Sequence, residues 1–424
     1  MDSLSLAVIS ALVLSYSLIS KRLATSVVSA AMFFLAGGAL VGSSGLGVVD
    51  LPATSHTIET LAEVTLALVL FADASRMRLA DLRHQAALPA RLLGIGLPLT
   101  IVLGAIAGTT LFPALALAEA VVLAIILAPT DAALGQAVVS DKRLPSRIRQ
   151  ALNVESGLND GICVPLLLIS LAWADTESGG VTAKQGLRIA AEAIGYGVLA
   201  GVAVGSVVAI LLTRAIRAGW TGGAWEQVVP VAAALTSYAL ADWLGGSGFI
   251  AAFVGGLVFG SLVSEHEQVG RFLEEAGGLT NAATFVILGA VLVIPSLDSV
   301  DPSIVAYIVL SLTAIRMVPV AIALVGTHAR PPTVSFIGWF GPRGLASLVF
   351  VVIVQDSGAL PHSELIVSTA VATVLMSVFA HGMTALPLVN RYATWYHAHE
   401  KKPEMESEHV HLPRWRGQPI ATKE

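Results

Sequence analysis

Residues 120–139 read Ala-Val-Val-Leu-Ala-Ile-Ile-Leu-Ala-Pro-Thr-Asp-Ala-Ala-Leu-Gly-Gln-Ala-Val-Val. An apolar run of this length matches one membrane crossing, because about 20 helical residues cover the roughly 30 Å of hydrocarbon in a bilayer. Pro129 stands at its middle, and Thr130 and Asp131 follow at once. Proline removes a backbone donor and its ring clashes with the preceding turn, so the helix is predicted to break there. A second apolar stretch, residues 336–346, reads Phe-Ile-Gly-Trp-Phe-Gly-Pro-Arg-Gly-Leu-Ala. Here Gly341, Pro342 and Gly344 interrupt the helix around Arg343. Each break thus carries an ionisable residue at a depth where charge is costly and usually functional.

The rest of the chain supplies the matching solvent. Of 424 residues, 55% are hydrophobic and only 12% are charged, with a mean hydropathy of +0.79. Soluble domains carry roughly twice that share of charge, about 25%. The bilayer is therefore the solvent, and the fold class is an all-α polytopic membrane protein. The single cysteine, Cys163, lies in an apolar segment and implies no disulfide framework. The first apolar run, Leu4 to Ile19, is preceded by Asp2 and followed by Lys21 and Arg22. A secretory leader has the opposite charge arrangement, so this run is read as a retained span.

Thirteen spans are predicted: 4–20, 23–42, 56–75, 87–111, 114–139, 153–173, 187–213, 226–243, 247–264, 272–294, 303–326, 333–355 and 363–388. Alternate connections are basic: Lys21 and Arg22; Arg76, Arg78 and Arg83; Lys142, Arg143, Arg147 and Arg149; Arg214 and Arg217; Arg271; Arg330; Arg391, Lys401 and Lys402. In the other connections Lys184 is the one basic residue. Basic loops stay in the cytoplasm, so the N-terminus is expected outside and the C-terminus inside. Residues 143–153 are expected as a short basic link on the membrane surface. Gly94, Gly96, Gly104 and Gly108 in span 4, and Gly195, Gly197, Gly201 and Gly205 in span 7, are read as close helix packing. The transmembrane domain is assigned to residues 1–395 and a short polar cytoplasmic tail to 396–424, too short for a regulatory domain.

The broken spans 5 and 12 lie seven spans apart, an odd number, so they run antiparallel. Paired interruptions in oppositely oriented halves point to an inverted-repeat transporter with a site at the midplane. Asp131 and Arg343 have the signs that offset the exposed half-helix ends. Span 6 opens Asn153-Val-Glu155-Ser156-Gly-Leu-Asn159-Asp160-Gly161. Glu155 and Asn159 share one helix face, and Ser156 and Asp160 share the adjoining one. Carboxylate, hydroxyl and freed carbonyl oxygens are the hard ligands an alkali cation takes. Glu155 is expected to be paired with a cation and to stay ionised, and Asp160 to be the unpaired acid that holds either a proton or a metal cation. That exclusion yields coupled exchange, and one titrating carboxylate beside neutral Asn159 makes a one-for-one, electroneutral exchange the simplest stoichiometry. Glu63, Glu119, Glu192 and Asp242 fall near outer helix ends and are expected to be solvated or interfacial, and His381 in span 13 is read as a packed histidine rather than a proton relay.

Four short motifs in order, over residues 55–390, carry a resemblance: Pro129-Thr130-Asp131, Glu155-Ser156-Gly-Leu-Asn159-Asp160, Ala314-Ile-Arg316, and Gly341-Pro-Arg343-Gly344. With them the chain resembles the monovalent cation/proton antiporters of the NhaP-like branch, the branch of the animal sodium/proton exchangers. Asn159 before Asp160 is similar to its electroneutral members. The resemblance implies thirteen helices, a homodimer, and a six-helix core that moves against a dimerisation domain. It also implies that Asp160 binds the ion and the proton, that Thr130 and Ser156 add ligands to Na⁺ or K⁺, that Glu155 pairs with Arg316, and that Arg343 compensates the broken helices. Asp73, in Phe71-Ala-Asp73-Ala, resembles an acid near the same site; Asn159 and Asp131 complete the set.

The expected partners are Na⁺, K⁺ or Li⁺ with H⁺, and the lipid of a bacterial-type inner or plasma membrane; no cofactor and no nucleic acid is expected. Nothing in the pattern of residues points to an enzyme. A channel places its charged or carbonyl rings around an axis shared by several subunits, which suits two internally broken helices less well. A symporter of small organic anions would carry a larger polar lining.

Overall fold

The structure is a computed structural model that describes residues 3–23, 26–49, 56–77, 87–131, 134–177, 179, 182–263, 270–358 and 360–399. Among these, the chain is helical throughout, with one isolated bridge between Gly42 and Val49 and no named strand. In lipid an all-helical answer is the economical one, since a helix satisfies its backbone groups within itself. The helices are α1 (Ser3–Leu23), α2 (Ala30–Val41), α3 (His56–Ser75) and α4 (Ala87–Leu111). Next come α5a (Leu117–Ile126) and α5b (Gln136–Val139), α6 (Ser146–Glu177), α7 (Ala183–Arg217), α8 (Ala224–Trp243) and α9 (Gly248–Leu262). The chain continues with α10 (Arg271–Asp298), α11 (Pro302–Ala323), α12a (Pro331–Trp339) and α12b (Leu345–Ser357), and α13 (Ser363–His399). Seven of them, α1, α4, α6, α7, α10, α11 and α13, are long and apolar enough to cross a membrane by length and composition; α2, α5a, α9 and α12b are shorter apolar helices.

Three features depart from the sequence reading. Residues 146–153 are not a separate link but the opening turns of the 32-residue α6. A buried apolar row, Ile148, Ala151 and Leu152, packs beneath their arginines and keeps the helix going. Helix α11 is interrupted at Thr313, whose φ and ψ are −118° and −93°, so that Arg316 opens a new half-helix. Arg188 adds a basic residue on the other side, in the second turn of α7, exposed and bonded to Glu192 at 2.7 Å. The polar tail beyond His399 lies outside the described residues.

Packing divides the helices into two sets. Helices α1, α2, α3, α8, α9 and α10 pack mainly on one another, with α7 laid across α9 and α8; α4, α5, α6, α11, α12 and α13 form the other set. The close fit of α7 on α9 explains its glycines: a Cβ at Gly205 would lie 2.6 Å from the Gly255 carbonyl oxygen. Opposite faces of α1 and α7 leave Leu14, Leu18, Leu187, Leu199 and Leu211 uncovered, which suits contact with lipid tails. The two sets meet where α3 faces α6 and α12b, where α10 faces α13, and where α7 runs along α6.

Candidate ion site at the crossing of two broken helices

Helix α5a ends at Ile126 and its backbone unwinds through Thr130 and Asp131 before α5b resumes at Gln136. Helix α12a ends at Trp339 and α12b begins at Leu345. The two unwound stretches bond to each other directly: the Asp131 N–H donates to the Pro342 carbonyl at 2.7 Å. Every helix end leaves unsatisfied peptide groups, and a buried one must find partners for them. The Asp131 carboxylate supplies two. Its Oδ1 accepts from the Leu134 N–H at 3.2 Å and its Oδ2 from the Leu345 N–H at 3.0 Å, across 214 residues. A negative group therefore sits at the N-terminus of α12b, where the helix dipole favours it. Glycine at 344 leaves room for this: a Cβ there would fall 2.0 Å from Asp131 Oδ2.

Arg343 is fully buried. Its Nη1 donates to the Gly341 carbonyl at 2.8 Å, and its backbone N–H to Ser377 Oγ of α13 at 2.7 Å. The positive side chain thus answers a carbonyl left beyond the C-terminal end of α12a.

Helix α6 closes the crossing from the other side. Ser156 Oγ donates to the Thr130 carbonyl in a short hydrogen bond, and Asn159 Nδ2 donates to Thr130 Oγ1 at 2.8 Å. One turn earlier on the helix, Glu155 receives both arms of the Arg316 guanidinium, Nη1 to Oε1 at 2.5 Å and Nη2 to Oε2 at 2.9 Å. Both side chains are buried, with 4% and 3% exposure. A two-point arginine–carboxylate fork is the strong form of this interaction. Gly341 admits the arginine, since a Cβ there would lie 2.4 Å from Arg316 Nε.

Asp160 is 8% exposed, and its Oδ1 meets no hydrogen-bond donor; the Oδ1 of Asn159 is likewise without one. The acids whose fields reach Asp160 are Asp131 and Asp73. Asp73 lies on α3, half-buried, facing α6 at Gly157: a Cβ on Gly157 would be 3.3 Å from the Asp73 Cβ. A small cleft at the crossing is lined by Thr130, Asp131, Ser156, Gly135, Leu152 and Pro342, and Val138 and Val139 of α5b border it before the α5b–α6 link. In that link Arg143 bonds Asp141 through Nη2 at 2.7 Å and Asn390 of α13 through Nη1 at 2.8 Å. These bonds hold the Asp141 carboxyl below the usual carboxylate range.

The residues expected at the site therefore lie together: Thr130, Asp131, Glu155, Ser156, Asn159, Arg316 and Arg343 are joined by the bonds above, Asp160 shares their helix, and Asp73 borders them from the other helix set. One expectation is narrowed. Glu119, in the first turn of α5a, is buried and only 2% exposed, so its solvated alternative does not hold. It accepts from the Ala116 N–H at 3.0 Å at the start of α5a, and from the N–H and Nδ1 of His362 at 2.9 Å each. A capping pattern marks its local role, but the partner lies 243 residues on and leaves no trace in the local sequence. Ser377 and His381 of α13 also touch the α12 break, a contact that the sequence reading misses.

An all-helical membrane chain with two interrupted helices crossing at buried charges has the architecture of an ion-coupled secondary transporter. Comparison with known proteins agrees. The family model for "Sodium/hydrogen exchanger, transmembrane" matches residues 8–391. The chain belongs to that sodium/hydrogen exchanger family. It is 26% identical over 386 residues to the K(+)/H(+) antiporter NhaP of Alkalimonas amylolytica, covering 88% of this chain and 63% of that one. It is 32% identical over 306 residues to a Na(+)/H(+) exchanger of Mycobacterium bovis, covering 65% of this chain and 54% of that one. The chain thus spans less than two thirds of the length of these relatives. In fold it is similar to the sodium proton antiporter MjNhaP1 from Methanocaldococcus jannaschii at pH 8, with a TM-score of 0.71 and 19% identity over 92% of this chain and 99% of that one.

Proposed function

We propose that the chain exchanges a monovalent cation for H⁺ by alternating access, with Na⁺ the first candidate and K⁺ or Li⁺ the others. The observation that carries this reading is the state of Asp160: a buried carboxylate whose Oδ1 has no donor, beside charges that are engaged by fixed protein groups. Glu155 is neutralised by Arg316, Asp131 by two peptide N–H groups, and Arg343 is turned onto a carbonyl. A buried carboxylate left this way needs a positive partner. A proton and an alkali cation both answer, and they exclude each other. Thr130 and Ser156 bring oxygens to the same place, and Asn159 contributes an amide oxygen, so that Asp160, Thr130 and Ser156 form the core of the cation site. Asp73 flanks it as a second acid. With one carboxylate alternately filled, the exchange is electroneutral.

The charge rule puts the basic α5b–α6 link in the cytoplasm. The N-terminus is then outside and the C-terminus inside, in the plasma membrane. The set containing α4, α5, α6, α11, α12 and α13 carries the ion and moves against the other set, through which two copies pair.

The deciding experiment loads purified protein into vesicles and follows collapse of an imposed pH gradient as Na⁺, K⁺ and Li⁺ are added in turn. Wild-type protein is expected to collapse the gradient with at least one cation and no net current. Asp160→Asn, folded and inserted, is expected to collapse it with none. Exchange retained by Asp160→Asn would defeat the assignment.

A further inference from the structure

We propose that Ser377 and His381 of α13 are positioning residues for the transport site, holding the α12 break as Ser156 and Asn159 of α6 hold the α5 break. The proposal rests on the exchanger reading above. It starts from the peptide groups that the α12 break releases. Between Trp339 and Leu345, three carbonyls and two N–H groups bond to side chains or to the α5 break. Pro342 C=O takes the Asp131 N–H, Gly341 C=O takes Arg343 Nη1, and Leu345 N–H gives to Asp131. The remaining two are met by α13. Trp339 C=O, which also receives the Gly341 N–H, lies 2.9 Å from His381 Nε2, and Arg343 N–H lies 2.7 Å from Ser377 Oγ.

A carbonyl oxygen only accepts, so His381 Nε2 carries a hydrogen and donates it to Trp339. In that tautomer Nδ1 is an acceptor, and it takes the hydroxyl hydrogen of Ser377 one turn earlier on its own helix at 3.1 Å. The ring is fixed further by Trp339: the two ring centroids are 5.1 Å apart, and Trp339 Nε1 donates to Thr384 Oγ1 at 2.9 Å. Ser377 is fully buried and His381 is 3% exposed, so water does not compete for these bonds. An ordinary packed histidine has no need of a peptide oxygen at a helix break.

The parallel with the first half of the chain is close. In each half the helix after the broken one supplies two polar side chains a single turn apart, Ser156 and Asn159 on α6, Ser377 and His381 on α13, and both reach back to the break. Fixing Trp339 C=O and Arg343 N–H fixes the segment between them. That segment carries the Pro342 carbonyl that holds Asp131 and the guanidinium of Arg343, so α13 sets the shape of a site that it does not itself enter.

The test uses full-length protein in vesicles, counted as folded molecules, with Ser377→Ala, His381→Phe, His381→Gln, Ser377→Thr and Asp160→Asn beside wild type. Glutamine keeps a side-chain N–H at the reach of Nε2, and threonine keeps the hydroxyl. Ser377→Ala and His381→Phe are expected to lower turnover per folded molecule about five- to tenfold, the effect of one stranded buried peptide group. Both should also shift the half-saturating cation concentration. His381→Gln and Ser377→Thr are expected to recover to within about twofold of wild type. A structural role alone would lower the yield of folded protein and leave turnover and half-saturation unchanged. That result, or His381→Gln no better than His381→Phe, overturns the proposal. If His381→Phe does not fold, Ser377→Ala against Ser377→Thr decides alone. Asp160→Asn separates the two ideas: inactivity there with normal Ser377→Ala defeats only the α13 assignment, whereas full activity there defeats the exchanger reading beneath it.

Discussion

The Glu155–Arg316 fork is the residue-scale element on which the crossing rests, because both charges are buried and each has the other as its neutralising partner. Taking two ions out of water is expensive, and their mutual attraction repays it only with geometry of this quality. Removing one partner leaves the other charge buried alone, at about 3–5 kcal/mol. Arg316→Ala and Glu155→Ala are therefore expected to lower the thermal midpoint of the purified protein sharply, each by a similar amount. Changes in cation affinity among the molecules that survive should be small by comparison. Melting curves in detergent check this, and a wild-type midpoint in either variant would remove the pair from its structural role. Arg316→Lys is not a mild change here, since lysine lacks the planar fork that meets both carboxylate oxygens. These charges were legible in the sequence because hydrocarbon makes any buried ionisable group conspicuous. Glu119 was not: an acid near a helix end reads as solvated, and only the fold brings His362 to cover it.

At the scale of the element, the matter is how two helices can stop inside a membrane without stranding their peptide groups. Asp131 is the central device. It caps the turn into α5b through Leu134 and the N-terminus of α12b through Leu345, and its own N–H answers Pro342. Loss of a single capping side chain costs about 0.5–2 kcal/mol, and here two caps depend on one carboxylate. Asp131→Ala is expected to be less stable than Asp131→Asn, because asparagine keeps one of the two oxygen acceptors, losing the charge and the second cap, whereas alanine loses both caps. Thermal midpoints of the two variants make the comparison; equal midpoints would mean that these bonds contribute nothing. The existence of both breaks was readable from Pro129 and Gly341-Pro342, where backbone chemistry is local. How the breaks are held was not. Ser156 and Asn159 could be guessed from their place beside Asp160, but Ser377 and His381 sit in a helix whose sequence has no feature to set them apart from packing. The interruption of α11 at Thr313 likewise has no proline or glycine at the break to announce it.

On the scale of the whole molecule, exchange requires the site to open to each side in turn, and the boundary between the two helix sets is the surface on which that motion takes place. Large parts of this organisation were legible, since apolar run length and alternating basic loops are imposed by the bilayer itself. Which helices group together was not, because lipid tails are as apolar as the helix faces and packing in the membrane follows shape. The boundary runs between α3 and α6, where Asp73 faces Gly157. A Cβ at 157 would stand 3.3 Å from that of Asp73, slightly closer than the roughly 3.8 Å typical of a disulfide. Asp73→Cys with Gly157→Cys is therefore expected to cross-link on mild oxidation in the conformation seen here. If the two sets slide past each other during transport, the oxidised protein should exchange no cation, and reduction should restore it to the level of Asp73→Cys and Gly157→Cys measured separately. Those single variants separate the effect of the cross-link from loss of the acid and of the glycine. Buried Cys163 serves as an internal control, since wild-type protein under the same oxidant should keep its full rate. Undiminished exchange in a fully cross-linked sample would show that α3 and α6 stay together throughout the cycle, and the moving surface would have to lie elsewhere in the bundle.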